Sequence, residues 1–127
     1  MFWRIFTADK PRRMSTLNEL GLAPMQSMAL MQLRPGEPMT MSAMAHALMC
    51  DNSNVTGIVD RLEAMGLVER RPAEHDRRVK TLVITELGKQ VRGEVERRMS
   101  VPPPPLAGLS EEDAAALRDI LQRALEV

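Results

Sequence analysis

One short segment of the sequence concentrates basic side chains around a turn. Residues 70–80 hold five cations and two anions, whereas the whole chain of 127 residues balances 17 Lys and Arg against 17 Asp and Glu. The cations are Arg70, Arg71, Arg77, Arg78 and Lys80. Guanidinium groups bind phosphate oxygens through paired hydrogen bonds, so this segment is a candidate for phosphate contact. The other interpretation is a solvated hairpin whose charges keep an edge strand soluble.

The stretch before this segment supplies a second candidate surface. A helix is predicted over 54–65, because four apolar residues recur there at the spacing of one buried face. These residues are Val55, Ile58, Val59 and Leu62. The opposite face consists of Ser53, Gly57, Asp60, Arg61 and Ala64, and Asn54 and Thr56 flank it. Small residues allow a helix to lie close to base edges in a DNA major groove, and its first amide groups favour a nearby phosphate.

Two short helices and a hairpin are expected to position these residues. Thr40 is predicted to cap a first helix, and a turn over 50–53 leads to the second helix, which ends at Gly66. Strands are predicted over 67–71 and 79–85 from β-branched residues and near alternation of apolar with polar residues. The order of elements is a helix-turn-helix followed by a β-hairpin.

A hairpin that follows such a helix pair favours DNA contact over a solvated turn. It would project beside the second helix, and arginines at its tip suit the narrow, electronegative minor groove of A·T-rich DNA. Asp76 opposes DNA contact beside Arg77 and Arg78, unless it orients one of these arginines through a bidentate contact. His75, also at the tip, is expected to face backbone phosphate or solvent.

The N-terminal residues are predicted to form a short helix over 12–20 that ends at Gly21. Pro11 interrupts the chain before this helix. All three aromatic residues of the protein precede Pro11, in an apolar group made of Phe2, Trp3, Ile5 and Phe6. This group is either an apolar anchor or a frayed terminus. Pro24 is predicted to begin the next helix.

The C-terminal residues are predicted to form two helices. Thr85 caps the first, which carries an apolar stripe at intervals of four residues. Ser110 caps the second, whose apolar face includes Leu117, Ile120 and Leu121. Four consecutive prolines over 102–105 are predicted to form a stiff polyproline II spacer between them.

Several motifs in this order resemble the MarR family of winged-helix transcriptional regulators. They are VTGIVDRLE at 55–63, GLVER at 66–70, DRR at 76–78 and ITELG at 84–88. The resemblance covers 22–89 and extends to the last helix. It implies a mainly α fold with a small β-hairpin wing, a winged helix-turn-helix with N- and C-terminal dimerisation helices.

The resemblance also implies a domain organisation and partners. Residues 1–21 would form an N-terminal dimerisation segment, 22–89 the DNA-binding domain, and 90–127 the C-terminal dimerisation helices with a Pro-rich break. The implied protein is a cytoplasmic homodimer that binds a pseudo-palindromic operator in double-stranded DNA. It would act as a repressor that a small-molecule effector, or oxidation, releases from DNA.

Residue by residue, the base-reading positions of the family correspond to Ser53, Asn54, Thr56 and Arg61. The wing tip corresponds to Asp76, Arg77 and Arg78, with Arg78 the first choice for minor-groove insertion. The complete candidate DNA-binding set is Ser53, Asn54, Thr56, Gly57, Arg61, Arg70, His75, Asp76, Arg77, Arg78 and Lys80. The chain departs from the family at Gly57, where many members carry a long, often basic residue. Its N-terminal region is also short and is interrupted by Pro11.

Other chemistry has little support in the sequence. There is no nucleophile elbow, phosphate-binding glycine loop or plausible triad, so we expect no enzyme activity and no cofactor. Two histidines and Cys50 lack metal-ligand spacing, and we expect no metal site. A single cysteine suits a reducing cytoplasm, and uncharged runs such as 39–50 are too short to span a membrane. Cys50 is expected to be an inert packed thiol, with a redox switch as the alternative.

Two alternatives stay open from the sequence. Met25, Met28 and Met31 lie where ligands of the family bind, but methionines also fill cores, so pocket and core are not separated. Gly57 and the zero net charge also suit a winged-helix protein-interaction module that has lost specific DNA binding.

Overall fold

A computed structural model describes residues 1–126, and these residues form seven α-helices and a three-stranded sheet. The elements in chain order are α1 (Phe2–Ala8), α2 (Lys10–Glu19), α3 (Pro24–Gln32), β1 (Met39–Thr40), α4 (Met41–Leu48), α5 (Asn52–Ala64), β2 (Val68–Pro72), β3 (Lys80–Ile84), α6 (Glu86–Met99) and α7 (Glu111–Leu125). The predicted winged helix-turn-helix, mainly helical with a small hairpin, is confirmed.

The main core lies between α3, α4, α5 and the sheet. Its largest fully buried side chains are Leu30, Leu33, Met44, Val55, Val59, Leu62, Leu67, Val68 and Leu82. In α5 the predicted apolar face is buried, with Ile58 half-buried at its edge. No aromatic side chain belongs to this core, and aliphatic residues with Met44 fill it.

The sheet is antiparallel and has the strand order β1–β3–β2. The two hairpin strands lie within one residue of their predicted bounds, and their register pairs Arg70 with Leu82 and Arg71 with Thr81. Strand β1 was not predicted. It consists of Met39 and Thr40 only, so it is too short to show the alternation by which strands are found in a sequence.

Three predicted helix caps are confirmed. The side chains of Thr40, Thr85 and Ser110 each accept a hydrogen bond from a backbone N–H in the first turn of the helix that follows. The start predicted for α5 was two residues late. Asp51 caps this helix, which therefore begins at Asn52.

The N-terminal residues form two helices rather than one. Helix α2 begins at Lys10, and Pro11 lies in its first turn, where the missing N–H removes no helical hydrogen bond. The buried Asp9 joins α1 to α2 and accepts two hydrogen bonds from Arg12, at 2.6 and 2.9 Å. The frayed terminus considered above is therefore replaced by a folded helix, α1, which exposes Phe2, Trp3 and Phe6.

The C-terminal part differs from its prediction in one respect. Instead of continuing a polyproline II spacer, Pro104 and Pro105 enter one turn of 3-10 helix, Pro104–Leu106. Helix α7 follows, and none of its described side chains is buried. Within residues 1–126, no helix has the length and apolar character needed to cross a membrane.

Candidate nucleic-acid interface

The start of α5 is organised by Asp51. Its carboxylate accepts hydrogen bonds from the Asn54 backbone N–H at 2.9 Å and from the Ser53 hydroxyl at 2.8 Å. Both bonds lower the pKa of Asp51, and the bond from the Asn54 backbone has the larger effect. Because this carboxylate takes the Asn54 amide, the phosphate contact expected at the helix start is not available to that amide.

The outward face of α5 carries only small or polar side chains over its first two turns. Ser53, Asn54, Thr56 and Gly57 are exposed, and the Thr56 hydroxyl donates to the Asn52 carbonyl oxygen at 2.9 Å. The hydroxyls of Ser53 and Thr56 are thus bonded to the helix itself. Arg61, one turn after Gly57, is exposed and forms no ion pair within residues 1–126. This face can therefore approach a flat or grooved partner closely.

Arg70 lies at the base of the wing and is paired with α5. Its guanidinium contacts Asp60 at 2.6 Å and Glu63 at 2.9 Å, and its backbone N–H donates to Glu63 at 3.1 Å. The phosphate contact predicted for Arg70 from the charge of the segment therefore competes with two carboxylates. Asp60 and Glu63 were missed as partners. No local sequence pattern indicates this pairing, because the strand and the helix meet only in the folded chain.

The cations of the wing tip, Arg77, Arg78 and Lys80, are exposed, and in the described part of the chain none of them forms an ion pair. His75 is exposed beside them. Asp76 does not bind a guanidinium in the way considered above. Its carboxylate accepts the backbone N–H of Arg78 at 2.9 Å and so shapes the turn. The arginine side chains are left free to contact a partner.

A groove of about 670 Å³ lies among α1, α2, α3 and α6. It is lined by Met28 and Met31, together with Met14 and Met99 and the aromatic rings of Trp3 and Phe6. Met25 packs against the core and does not line the groove, Met28 lines the groove, and Met31 does both. The three predicted residues are thus divided between core packing and the groove.

Other reactive groups do not converge on a site. Cys50 lies in the turn between α4 and α5, is half-buried and packs against the core. Among residues 1–126, no group of three His, Cys, Asp or Glu side chains could hold a metal ion. The candidate DNA-binding side chains do come together, on α5 and on the wing, and Arg70 links these two elements through its pairs with Asp60 and Glu63. A helix-turn-helix followed by such a hairpin defines the winged helix-turn-helix class of DNA-binding proteins.

Comparisons with known proteins narrow this class to one family. Residues 22–80 match the model of the MarR family. The uncharacterized HTH-type transcriptional regulator YfiV of Bacillus subtilis (strain 168) is 32% identical over 130 residues, covering 99% of this chain and 81% of that protein. The organic hydroperoxide resistance transcriptional regulator of the same organism is 31% identical, covering 87% of this chain and 74% of that protein. The chain belongs to the MarR family of transcriptional regulators.

Solved structures agree with this assignment. A MarR family protein from Bacillus stearothermophilus superposes with a TM-score of 0.82 at 27% identity, covering 98% of this chain and 89% of that chain. The S. aureus MepR–DNA complex superposes with a TM-score of 0.69 at 18% identity, covering 97% of this chain and 98% of that chain. The second likeness shows the fold alone.

Proposed function

We propose that the protein is a homodimeric transcriptional repressor that binds a pseudo-palindromic operator. The observation that carries this proposal is the wing tip, where Arg77 and Arg78 are exposed and unpaired among the described residues. Arg70 links the hairpin that bears them to helix α5. Helix α5 would enter a major groove, where Ser53, Asn54 and Arg61 face base edges. The wing tip would enter the flanking minor groove.

The apolar surface at both ends of the chain supports the homodimer. Helix α7 exposes Ile120 and Leu125, and α1 exposes Phe2 and Trp3 at about three quarters of their surface, 76% and 73%. Exposed apolar residues concentrated in this way usually mark an interaction surface. A second copy that covers them would bury α1 and α7 in the dimer interface and leave 22–89 to bind DNA.

Two-fold symmetry predicts the form of the operator. Two α5 helices in one dimer would enter successive major grooves, so the half-sites should be centred about 10 base pairs apart or at a small multiple of that distance. The contacts to phosphate and to the minor groove are electrostatic. Binding should therefore weaken steeply as salt concentration rises.

Selection of duplexes from a random-sequence pool, followed by a mobility-shift assay with competitor DNA, tests this function. We expect one enriched palindromic sequence and a shift that competitor does not remove. Light scattering should give the mass of two chains. Binding without sequence preference at moderate salt would contradict the proposal and favour the protein-interaction module.

The groove among α1, α2, α3 and α6 is our proposed effector site. Four methionines and the Trp3 and Phe6 rings line it, and Lys10, Arg13 and Glu96 are its charged lining residues. This lining suits a planar apolar compound whose acidic group faces the two cations. Trp3 is the single tryptophan of the protein. Planar aromatic carboxylates should therefore quench its fluorescence and lower operator affinity over the same concentration range. Quenching without any change in affinity would separate ligand binding from regulation.

A further inference from the structure

Three glycines lie within helices α5 and α6, and packing in the described part of the molecule explains only one of them. That one is Gly88, where a Cβ atom would lie 2.1 Å from the Leu67 carbonyl oxygen. At Gly57 in α5 and Gly93 in α6, a Cβ atom would meet nothing within 4 Å, and the backbone is ordinary helix. Alanine would favour the helix at both positions, since glycine is a poor helix former.

Gly57 differs from Gly93 in its surroundings. It occupies the centre of the outward face of α5, one turn after Ser53 and one turn before Arg61. The hydroxyls of Ser53 and Thr56 are bonded to Asp51 and to the Asn52 carbonyl oxygen, so they do not build up the surface beside Gly57. An α-helix with its side chains is about as wide as a DNA major groove, roughly 12 Å. A bare position at the centre of the inserted face therefore lets the helix lie deeper.

We propose that Gly57 is a specificity-determining residue whose Cα packs against a thymine methyl group in each half-site, an inference that rests on the proposed DNA-binding function. The exposed surface at Gly57 is a Cα–H group, which offers neither a strong donor nor an acceptor. The thymine C5-methyl is the apolar group that base pairs present in the major groove. It would occupy the volume that a Cβ atom would take, so an alanine side chain and a thymine methyl exclude each other.

The experiment compares Gly57→Ala with the matched control Gly93→Ala. The probe is the duplex that the wild-type protein selects from a random-sequence pool, and affinity is measured by fluorescence anisotropy. Both variants should melt roughly 2 to 4 °C higher than wild type, because each replaces a helical glycine. Gly57→Ala should bind the selected duplex roughly tenfold more weakly, whereas Gly93→Ala should bind it as wild type does.

Deoxyuridine, which lacks the methyl group, identifies the base. Replacing each thymine of the half-site in turn should reveal one position where wild-type binding falls by roughly threefold or more. At that position the loss caused by Gly57→Ala should shrink, because alanine then fills the space that the methyl group has left. This is a double-mutant cycle between one residue and one methyl group.

Three results would overturn the proposal. If Gly57→Ala binds the selected duplex like wild type, the residue does not approach DNA. If Gly57→Ala reduces the affinity for the thymine duplex and for the deoxyuridine duplex equally, residue 57 does not contact a thymine methyl group. If the wild-type protein selects no sequence, the proposed function fails and this inference fails with it, an outcome that is distinct from the first two.

Discussion

The base and the tip of the wing contain the same residue type in two different states. At the base, Arg70 contacts Asp60 at 2.6 Å and Glu63 at 2.9 Å, and its side chain is 24% exposed. At the tip, Arg77 and Arg78 are exposed and have no acidic partner in the described part of the chain. In the sequence these arginines form one basic segment. In the structure the first holds the wing to α5 and the others point outward.

This difference shows that local charge density does not identify a DNA-binding residue by itself. A cation that is already paired gives up its carboxylates before it can contact phosphate, and those carboxylates would then face DNA unpaired. An unpaired, exposed cation loses only its hydrating water when it contacts phosphate. We therefore propose a direct DNA contact for Arg78 and a positioning role for Arg70, and each proposal can be tested by experiment.

Loss of a wing-tip arginine should have the largest effect. Arg78→Ala should weaken operator binding roughly tenfold or more and lower the salt dependence of binding by about one counterion per contact. Fold and dimer should be unaffected, because the Arg78 side chain is exposed and lacks an ion-pair partner within residues 1–126. Mobility shift at several salt concentrations, with light scattering and thermal melting, measures all three.

Arg71→Ala is the matched control for this prediction. Arg71 lies in the same hairpin but is paired with Glu69 at 2.6 Å, with 60% of its side chain exposed. An exposed pair of this kind contributes little, so binding and stability should both stay close to wild type. Equal losses in the two variants would mean that the hairpin responds to net charge and that the tip has no special role.

Loss of the arginine at the wing base should have an intermediate effect with a different signature. Arg70→Ala should weaken binding roughly threefold to tenfold while the salt dependence stays the same, because positioning is lost and no phosphate contact is removed. It should also lower the melting temperature, since two carboxylates lose their partner. Salt titrations of operator binding separate this variant from Arg78→Ala.

Glu63→Gln distinguishes the two roles of Arg70 by the sign of its effect. If Arg70 positions the wing, removing the Glu63 charge should weaken operator binding, because the clamp between β2 and α5 is loosened. If Arg70 contacts phosphate, the same change frees the arginine and removes an anion, so binding should become tighter. A tighter complex would therefore disprove the positioning role.

The features predicted well from the sequence are those that depend on neighbouring residues. The apolar face of α5 follows from helical spacing, and the caps at Thr40, Thr85 and Ser110 follow from side chains that bond to amides three residues ahead. The start of α5 was misplaced because several residues of the preceding turn can cap a helix. Only the structure shows that Asp51 does so.

The features that were missed depend on contacts between elements. The pairing of Arg70 with Asp60 spans ten residues and crosses from a strand to a helix, and the two-residue strand β1 exists only because β3 lies beside it. Neither has a local pattern. The division of the methionines between core and groove is of the same kind, since Met25 and Met28 are three residues apart on one helix.

The smallest effect is expected at paired arginines in α6, outside the helix-turn-helix and the wing. Glu94 accepts hydrogen bonds from Arg97 at 2.6 and 3.1 Å and from Arg98 at 2.7 Å, which lowers the pKa of Glu94 from 4.5 to about 2. A pKa depressed in the folded state stabilises the fold above pH 4.5, and this contribution is lost as pH falls from 4.5 towards 2.

Glu94→Gln should therefore lower the melting temperature at pH 7 by roughly one or two degrees, because exposed pairs are weak. The difference from wild type should narrow as pH falls below 4.5 and vanish only when the pH is below the folded-state pKa of about 2, where the Glu94 carboxyl is uncharged as well. Operator affinity at pH 7 should not change, since these arginines are paired within the fold and lie outside the proposed DNA surface. A melting difference that is independent of pH would show that the glutamate acts through packing and not through its charge. A loss of operator affinity would instead extend the DNA surface to α6, so that paired arginines could no longer be assigned to the fold alone.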